Sequence, residues 1–544
     1  MNMTECNWLK APELPAEEKI TYLGETDVIV IGLGYSGSAA LRAAQEAGAQ
    51  TIGLEAQTED HYTGFGRDIG HINSKFLSSR GVPQVDPLDL YQEWMRRAGN
   101  RANPELVMKY CTKSGEAFDW YTDMYGIDGL KDLHVAFWPQ GGEKLKAAIA
   151  EGKGDNQING YHFWYGTAEF PDPMGWPGSP SLPQCAKANL YKAREEGAQL
   201  FFGMKGITLV QEKDGSVSGV IAENKAGEYV RFAARRGVIL ATGDFARNRE
   251  MVRDLCSDID DLMAPDAPVR SMGRDGGGVQ MGIRAGGMLE TRPLPTMGGN
   301  IIQAGGICGF GALWLNQDGE RFCNEVFGGP EIAGFAANQD NIQEIYAVFD
   351  EHCLENELQW SVPGHGGFDL NIEHVSENLQ ILIESAKAGA PQPVRLKYLY
   401  PTGWQEAYYG RTPEELADSA GLTGETAQRF AASIRHYNDL CAAGRDTDYG
   451  RDPKVLDPLT DMLFLQKITP SQPGQIMVTV GGLLTNGRQQ VIGQGHKIVR
   501  GLYATGNCCG RRFGSQYSTP ISGVSIGMAV TLGREAGTEA AKGA

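Results

Sequence analysis

The 544-residue sequence predicts an α/β fold in which a parallel sheet with packed helices is interrupted by an inserted α+β domain. Three observations carry that reading. A short β-branched run, Val28 to Ile31, enters the glycine turn Gly32-x-Gly34-x-x-Gly37 and then a helix rich in small residues. Two later runs, Gly237 to Gly243 and Gly501 to Asn507, repeat the ending of an apolar strand in a tight glycine turn. Between them, residues 290–475 lose the strand-helix alternation and carry turns, aromatics and separate helices such as Pro413 to Gly421 and Glu425 to Ala443.

Residues 1–24, with Pro12, Pro15 and several charges, read as an arm ahead of the first strand. They contain no twin arginine and no apolar core bounded by positive charge, so no export signal is expected. After the turn, Ala39, Ala40, Leu41, Ala43, Ala44 and Ala47 favour a helix close to a sheet, Gly48 is placed to end it, and Thr51 to Leu54 forms the second strand. Glu55 lands at that strand's tip. This is the spacing of a Rossmann-like dinucleotide fingerprint. Gly32 makes the turn, Gly34 admits a pyrophosphate, Gly37 permits close packing, and the helix start offers N–H groups to phosphate while the acid accepts from a ribose.

The segment Gly64 to Asn73 has neither helical nor strand period and suits backbone approach to a ligand. Residues 86–135 repeat apolar side chains at helical spacing, 160–183 reads as an irregular excursion, and a helix follows from Pro183 to Gly197. Leu200 to Phe202, Ile207 to Gln211, Ser216 to Glu223 and Glu228 to Phe232 read as strands, Gly237 to Gly243 as a further one, and Ser522 to Ala541 as the last helix. The expected boundaries are a cofactor domain over 25–290, a cap over 291–475, and the cofactor domain resuming over 476–544.

A formal net charge of −18 argues against nucleic acid or an anionic membrane as partner. No run of 18 apolar residues appears, so no membrane insertion is expected. The ten cysteines include no CxxC pair, which points to reduced, buried thiols, no metal and a cytoplasmic setting.

Several motifs together resemble the flavoprotein family of fumarate reductases, succinate dehydrogenase flavin subunits, urocanate reductases and 3-ketosteroid dehydrogenases. They are the Gly32 fingerprint with Glu55, Ala241 to Met251, Gly273 to Gly278, Gly319 to Glu325, Thr412 to Leu422, Tyr437-Asn438 with Gly444 to Gly450, Val480-Gly481-Gly482, and Gly501 to Asn507 with Gly523 to Gly537. The resemblance implies a Rossmann-like FAD-binding domain with a mobile cap. It places cofactor contacts at Gly32, Gly34, Ser36, Gly37, Glu55, Ala56, Asp68, Ile69, Gly70, Ile207, Ala241, Thr242, Gly243, Asn248, Gly506, Asn507, Ser522, Val524 and Ser525. Contacts from both ends of the chain suit FAD rather than NAD. His61 and His71 lie near the glycine-spaced loop, but neither stands in the family's attachment sequence, so the FAD is expected to be non-covalent.

Three polar groups of the fumarate reductase branch are missing. Pro520 stands where that branch clamps a carboxylate with arginine, Val478 replaces its histidine, and its proton-donating arginine falls near Gly329, with no arginine between Glu325 and Asn341. The chain is thus closer to the 3-ketosteroid dehydrogenase or enone reductase branch, where a tyrosine occupies this stretch. Tyr517 is the candidate acid or carbonyl-polarising group, against the alternative of a core tyrosine with a satisfied hydroxyl. Arg512, beside Arg511, is the second catalytic candidate, against salt-bridging. His365, Trp404, Tyr408 and Tyr409 are lining or packing residues of the cap. The expected activity is hydride exchange between flavin N5 and an activated carbon–carbon bond of an apolar or aromatic enone, more as a reductase, with a separate electron donor or acceptor. The alternatives are a non-catalytic electron-relay or assembly subunit, and a dicarboxylate enzyme like fumarate reductase.

Overall fold

The structure is a computed structural model that describes residues 6–136, 157–171, 180–257, 270–271, 273–297, 312–325, 342–355, 372–397, 406–468 and 475–543. His365, Trp404 and Gly329 lie outside the described residues. The chain divides into two compact units, one of residues 1–135, 166–297 and 476–544, the other of 136–165 and 298–475.

The first unit is built on an eight-stranded sheet. Its strands are β1 (Ile20–Ile31), β2 (Thr51–Glu55), β3 (Gln199–Phe202), β4 (Met204–Gln211), β5 (Val217–Asn224), β6 (Tyr229–Leu240), β7 (Gln490–Ile492) and β8 (Ile498–Ala504). The order is β7-β8-β6-β1-β2-β3, with β5 pairing both β6 and β4. β1, β2, β3, β6 and β8 are mutually parallel, and β4-β5-β6 is an antiparallel meander. The inner strands are buried on both faces, as their continuous apolar runs require. Val28, Val30 and Ile239 pack on one face against helices α1 (Tyr35–Glu46), Leu182–Glu195 and α2 (Val524–Lys542). Ile29, Ile31, Val238 and Leu240 face the meander and the helix Gly277–Arg284. α2 lies close along α1: a Cβ on Gly533 would stand 2.4 Å from Ser36 O, and one on Gly537 2.1 Å from Ala40 O.

Charge hid part of this sheet. β1 begins at Ile20, inside the stretch read as an arm, because Ile20–Thr26 pairs with Tyr229–Ala234. The two strands read over 228–232 and 237–243 are one, β6, bridged by Arg235 and Arg236. These arginines are held by β1 acids: Arg235 Nε donates to Asp27 Oδ1 and Nη1 to Glu25 Oε1, both at 2.9 Å. Asp68–Gly70, within the glycine-spaced loop, is also a strand, antiparallel to Thr167–Glu169.

The second unit holds a five-stranded antiparallel sheet ordered Leu313–Asn316, Ile345–Asp350, Leu463–Ile468, Glu406–Gly410, Val394–Arg395. Trp314, Phe349 and Phe464 pack with Leu379 and Leu382 of the helix Ile372–Ala388, and Leu313, Leu315 and Val348 with Phe430 and Ile434 of Gly424–Ala442. Tyr408 and Tyr409 lie on a strand of this sheet and pack against these clusters. Residues 136–165 group with this unit rather than with the first part of the chain. The hairpin Gln157–His162 is tied there, with Asn159 N–H donating to Asp452 Oδ2 at 2.7 Å.

Candidate cofactor site

The fingerprint turn closes as its sequence requires. Gly32 has φ +85°, its N–H donates to Leu54 O at 2.8 Å, and a Cβ there would lie 2.6 Å from Ala241 O. A Cβ on Gly37 would stand 1.9 Å from Gly32 O, so only glycine lets α1 sit on the turn. Gly34 differs, since no atom lies within 4 Å of where its Cβ would be. The first intrahelical bond of α1 is Ser38 N–H to Gly34 O, which leaves the N–H groups of Tyr35, Ser36 and Gly37 facing that space without helical partners. Glu55 is buried, taking Leu33 N–H on Oε2 at 2.8 Å and Gln57 N–H on Oε1 at 2.9 Å. Oε1 also accepts Gln57 Nε2 at 3.3 Å, which leaves Oε2 with a lone pair for a further donor. Ala56, next in the chain, is exposed.

Three chain segments meet at the ends of β6 and β8. Thr242 Oγ1 accepts Gly278 N–H at 3.1 Å. Gly243, at φ +84°, offers its carbonyl to Cys508 Sγ–H at 3.1 Å. Asp244, which the sequence reading gave no role, accepts backbone N–H from Arg274 at 2.8 Å, Thr479 at 2.9 Å and Ala246 at 3.1 Å. Its position directly after the glycine turn was the available signal. Ala241 is buried at the end of β6. Gly506, at φ +61°, packs on Ser36, whose Oγ would lie 2.4 Å from a Cβ there. Asn248 caps the helix Arg249–Leu255, with Oδ1 accepting Met251 N–H and Nδ2 donating to Asp275 O, so its amide serves the fold. Ile207 sits half-buried in β4, where its carbonyl accepts Arg284 Nη2.

The third side is the start of α2. Gly70 N–H donates to Gly523 O at 2.8 Å, Thr167 Oγ1 donates to Ser522 O at 2.9 Å, and a Cβ on Gly70 would overlap Ser522 O at 2.2 Å. Asp68, Ile69, Gly70, Ser522, Val524 and Ser525 therefore share one locality. Tyr517 is buried with its ring edge-on to Phe513 at 4.8 Å, and its hydroxyl accepts Ser525 N–H at 3.2 Å. Arg512 is wholly enclosed and donates to Cys509 O, Val480 O and Asn507 Oδ1. Arg511 is exposed and donates to Arg101 O.

His71 is fully buried and stacked 3.9 Å from Phe118, with Nδ1 against Ile69 O and Nε2 against Ser74 Oγ. Burial pushes its pKa down to about 3. His61 is exposed beside Asp60. Burial pushes the Cys508 thiol up to about 11, which leaves it protonated and unreactive near neutrality. Eight described cysteines are free; Cys353 departs from the expected reduced state, being disulfide-bonded.

A model of the FAD binding domain family matches residues 27–524. The chain belongs to that family. Its relatives include a fumarate reductase (cytochrome) of Shewanella frigidimarina, 22% identical over 534 residues, 95% of this chain and 77% of that protein. A vinyl phenol reductase of Lactiplantibacillus plantarum is 25% identical over 536 residues, 95% of this chain and 96% of that one. Among solved structures, the fold is similar to a 3-ketosteroid-Δ4-(5α)-dehydrogenase from Rhodococcus jostii RHA1, with a TM-score of 0.63, 22% identity, and 96% and 97% of the two chains covered. By name these relatives are two reductases and a ketosteroid dehydrogenase, and FAD is the family's cofactor. Among the described residues of this family member, no helix is long and apolar enough to cross a membrane. The residues present fit FAD: the open space at Gly34 lies where α1 aims its N–H groups, and Glu55 stands one strand away.

Glu290 is a buried carboxyl that the sequence reading missed. It takes Gly482 N–H on Oε1 at 2.9 Å and Arg511 N–H on Oε2 at 2.8 Å, yet burial holds its pKa up at about 7. Between the ordinary value of 4.5 and 7 the folded chain keeps a proton that the unfolded chain has released, so its contribution to stability falls as pH rises through that window. Relative to Glu290→Gln, the wild-type chain should lose at most about 3 kcal/mol over that range. Urea unfolding at pH 5 and pH 8 checks this, and a stability difference that does not move with pH contradicts it.

Proposed function

We propose that the chain is an FAD-dependent reductase of a carbon–carbon double bond conjugated to a carbonyl or aromatic group, with an apolar or aromatic substrate and a separate electron donor. When bound, FAD supplies hydride at its ring. The chain's own part is to hold the cofactor through Gly32, Gly34, Gly37 and Glu55, to keep α2's positive N-terminal end directed outward from Val524, and to hold a hydroxyl at Tyr517 for the proton. The names of the relatives that reduce vinyl phenol and fumarate support the reaction class.

The observation that carries the substrate class is the state of the guanidinium groups around the stretch Tyr517–Ser522. Pro520 is buried where a carboxylate clamp would stand. Arg97 is buried, bonded to Glu93 Oε1 at 2.6 Å and Thr519 O at 3.2 Å. Arg512 is fully buried, with Nε and Nη2 bonded to Cys509 O, Val480 O and Asn507 Oδ1 and with Nη1 unpartnered among the described residues. Neither is placed to form the bidentate bond that a dicarboxylate needs. The test is anaerobic mixing of reduced enzyme with 4-vinylphenol, cyclic and steroidal enones, and fumarate. Flavin reoxidation should be at least about 100-fold faster with a member of the first two groups, the discrimination expected when roughly 3 kcal/mol of charge-assisted bonding is absent for the diacid. Rapid reoxidation by fumarate would sink the assignment.

A further inference from the structure

We propose that Arg512 is a positioning residue for the cofactor and acts through Asn507. The proposal rests on the reading of Asn507 as a flavin ligand. Arg512 has no exposed surface and its Nη1 makes no hydrogen bond to a described residue, so the bonds of Nε and Nη2 are what it contributes. Nε donates to Cys509 O at 3.0 Å, and Nη2 donates to Val480 O at 3.1 Å and to Asn507 Oδ1 at 2.6 Å. These acceptors come from the Val480–Gly482 loop and from the turn that follows β8. Cross-links from the backbone hold the same two segments together, with Leu483 N–H donating to Cys508 O and Gly510 N–H to Leu483 O, both at 2.8 Å.

The consequence lies in the orientation of one amide. A guanidinium only donates, so the atom 2.6 Å from Nη2 has to be the carbonyl oxygen of Asn507. The bond therefore decides which end of the amide faces inward. Nδ2, on the other side of the group, carries two donors and makes no hydrogen bond to a described residue. Asn507 is half-buried and follows Gly506, which is packed on Ser36 at the start of α1. The fold thus spends a buried guanidinium on fixing a donor pair that it does not itself use. The fitting ligand atom is an uncharged or anionic acceptor, a carbonyl oxygen or ring nitrogen of the cofactor. Without Arg512 the amide would be free to turn, and half its orientations would present an acceptor to an acceptor.

Four variants of the holoenzyme test this: Asn507→Asp, Asn507→Ala, Arg512→Met and Arg512→Lys. The readouts are the FAD dissociation constant from flavin fluorescence, the flavin midpoint potential, and the thermal unfolding midpoint of the apoprotein. Asn507→Asp keeps an acceptor for Arg512 and removes the donors, so it should leave the unfolding midpoint unchanged or raised while weakening FAD about tenfold and lowering the potential. Arg512→Met should weaken FAD to a similar extent alone and add little in the Asn507→Ala background, and Arg512→Lys should recover most of the loss. If Arg512→Met weakens FAD equally with and without Asn507, or lowers only the unfolding midpoint, the coupling is absent and the proposal fails. If both Asn507 variants bind FAD normally at an unchanged potential, the reading of Asn507 as a ligand fails first and the proposal with it. Should Arg512→Met not fold, Arg512→Lys and Asn507→Asp decide between the same outcomes.

Discussion

Gly34→Val should give a folded chain that binds FAD roughly 100-fold more weakly, whereas Gly37→Ala should lose the fold of the first unit itself. The two glycines sit three residues apart in one motif and do different jobs. The backbone of Gly34 has φ −66°, which any residue adopts, and its Cβ would touch nothing within 4 Å. A side chain there fills space that only a ligand would otherwise occupy. Gly37 is hemmed in by backbone, with Gly32 O 1.9 Å from a Cβ. Because that neighbour is a main-chain carbonyl, α1 as a whole must shift, at about 3 kcal/mol or more. Thermal unfolding of the apoproteins beside flavin titration separates these effects. Equal destabilisation by both substitutions would show that Gly34 serves the fold rather than a phosphate.

Tyr517→Phe should slow the single-turnover step with substrate by about 10²–10⁴-fold while flavin content stays intact, the range for loss of a positioned acid. The substitution also leaves Ser525 N–H without its acceptor at the first turn of α2, which should lower stability by about 1 kcal/mol. Stability alone would therefore move for a purely structural tyrosine too. The rate of the chemical step, measured by stopped-flow at saturating substrate, is the readout that distinguishes the roles. An unchanged rate together with a lowered unfolding midpoint would make Tyr517 only a helix cap.

The parts of this chain that were legible in its sequence are those fixed by neighbours along the chain. Val28 to Gly37 and Glu55 announce a strand, a turn and an acid because each step follows the last within a few residues. The outer half of β1 and the middle of β6 were not legible: Glu25, Asp27, Arg235 and Arg236 look like loop charges until the ladder sets them opposite one another. Asp68–Gly70 was hidden because its glycine is shaped by Ser522, more than 450 residues away, rather than by local propensity. Arg512 was legible only as one of two adjacent arginines; its bonds to Val480, Asn507 and Cys509 join segments that no local pattern brings together. Residues 136–165 group with the second unit, where Asn159 bonds Asp452, which no local pattern encodes.

Whether the chain is itself a catalyst or only relays electrons is decided by product stoichiometry. Flavin on the enzyme is reduced anaerobically with dithionite, excess reductant is removed, and one enone or vinylphenol from the panel is added. One equivalent of the saturated product per equivalent of flavin reoxidised is the result expected of a double-bond reductase. Reoxidation by one-electron acceptors alone, with no saturated product from any member of the panel, would contradict it.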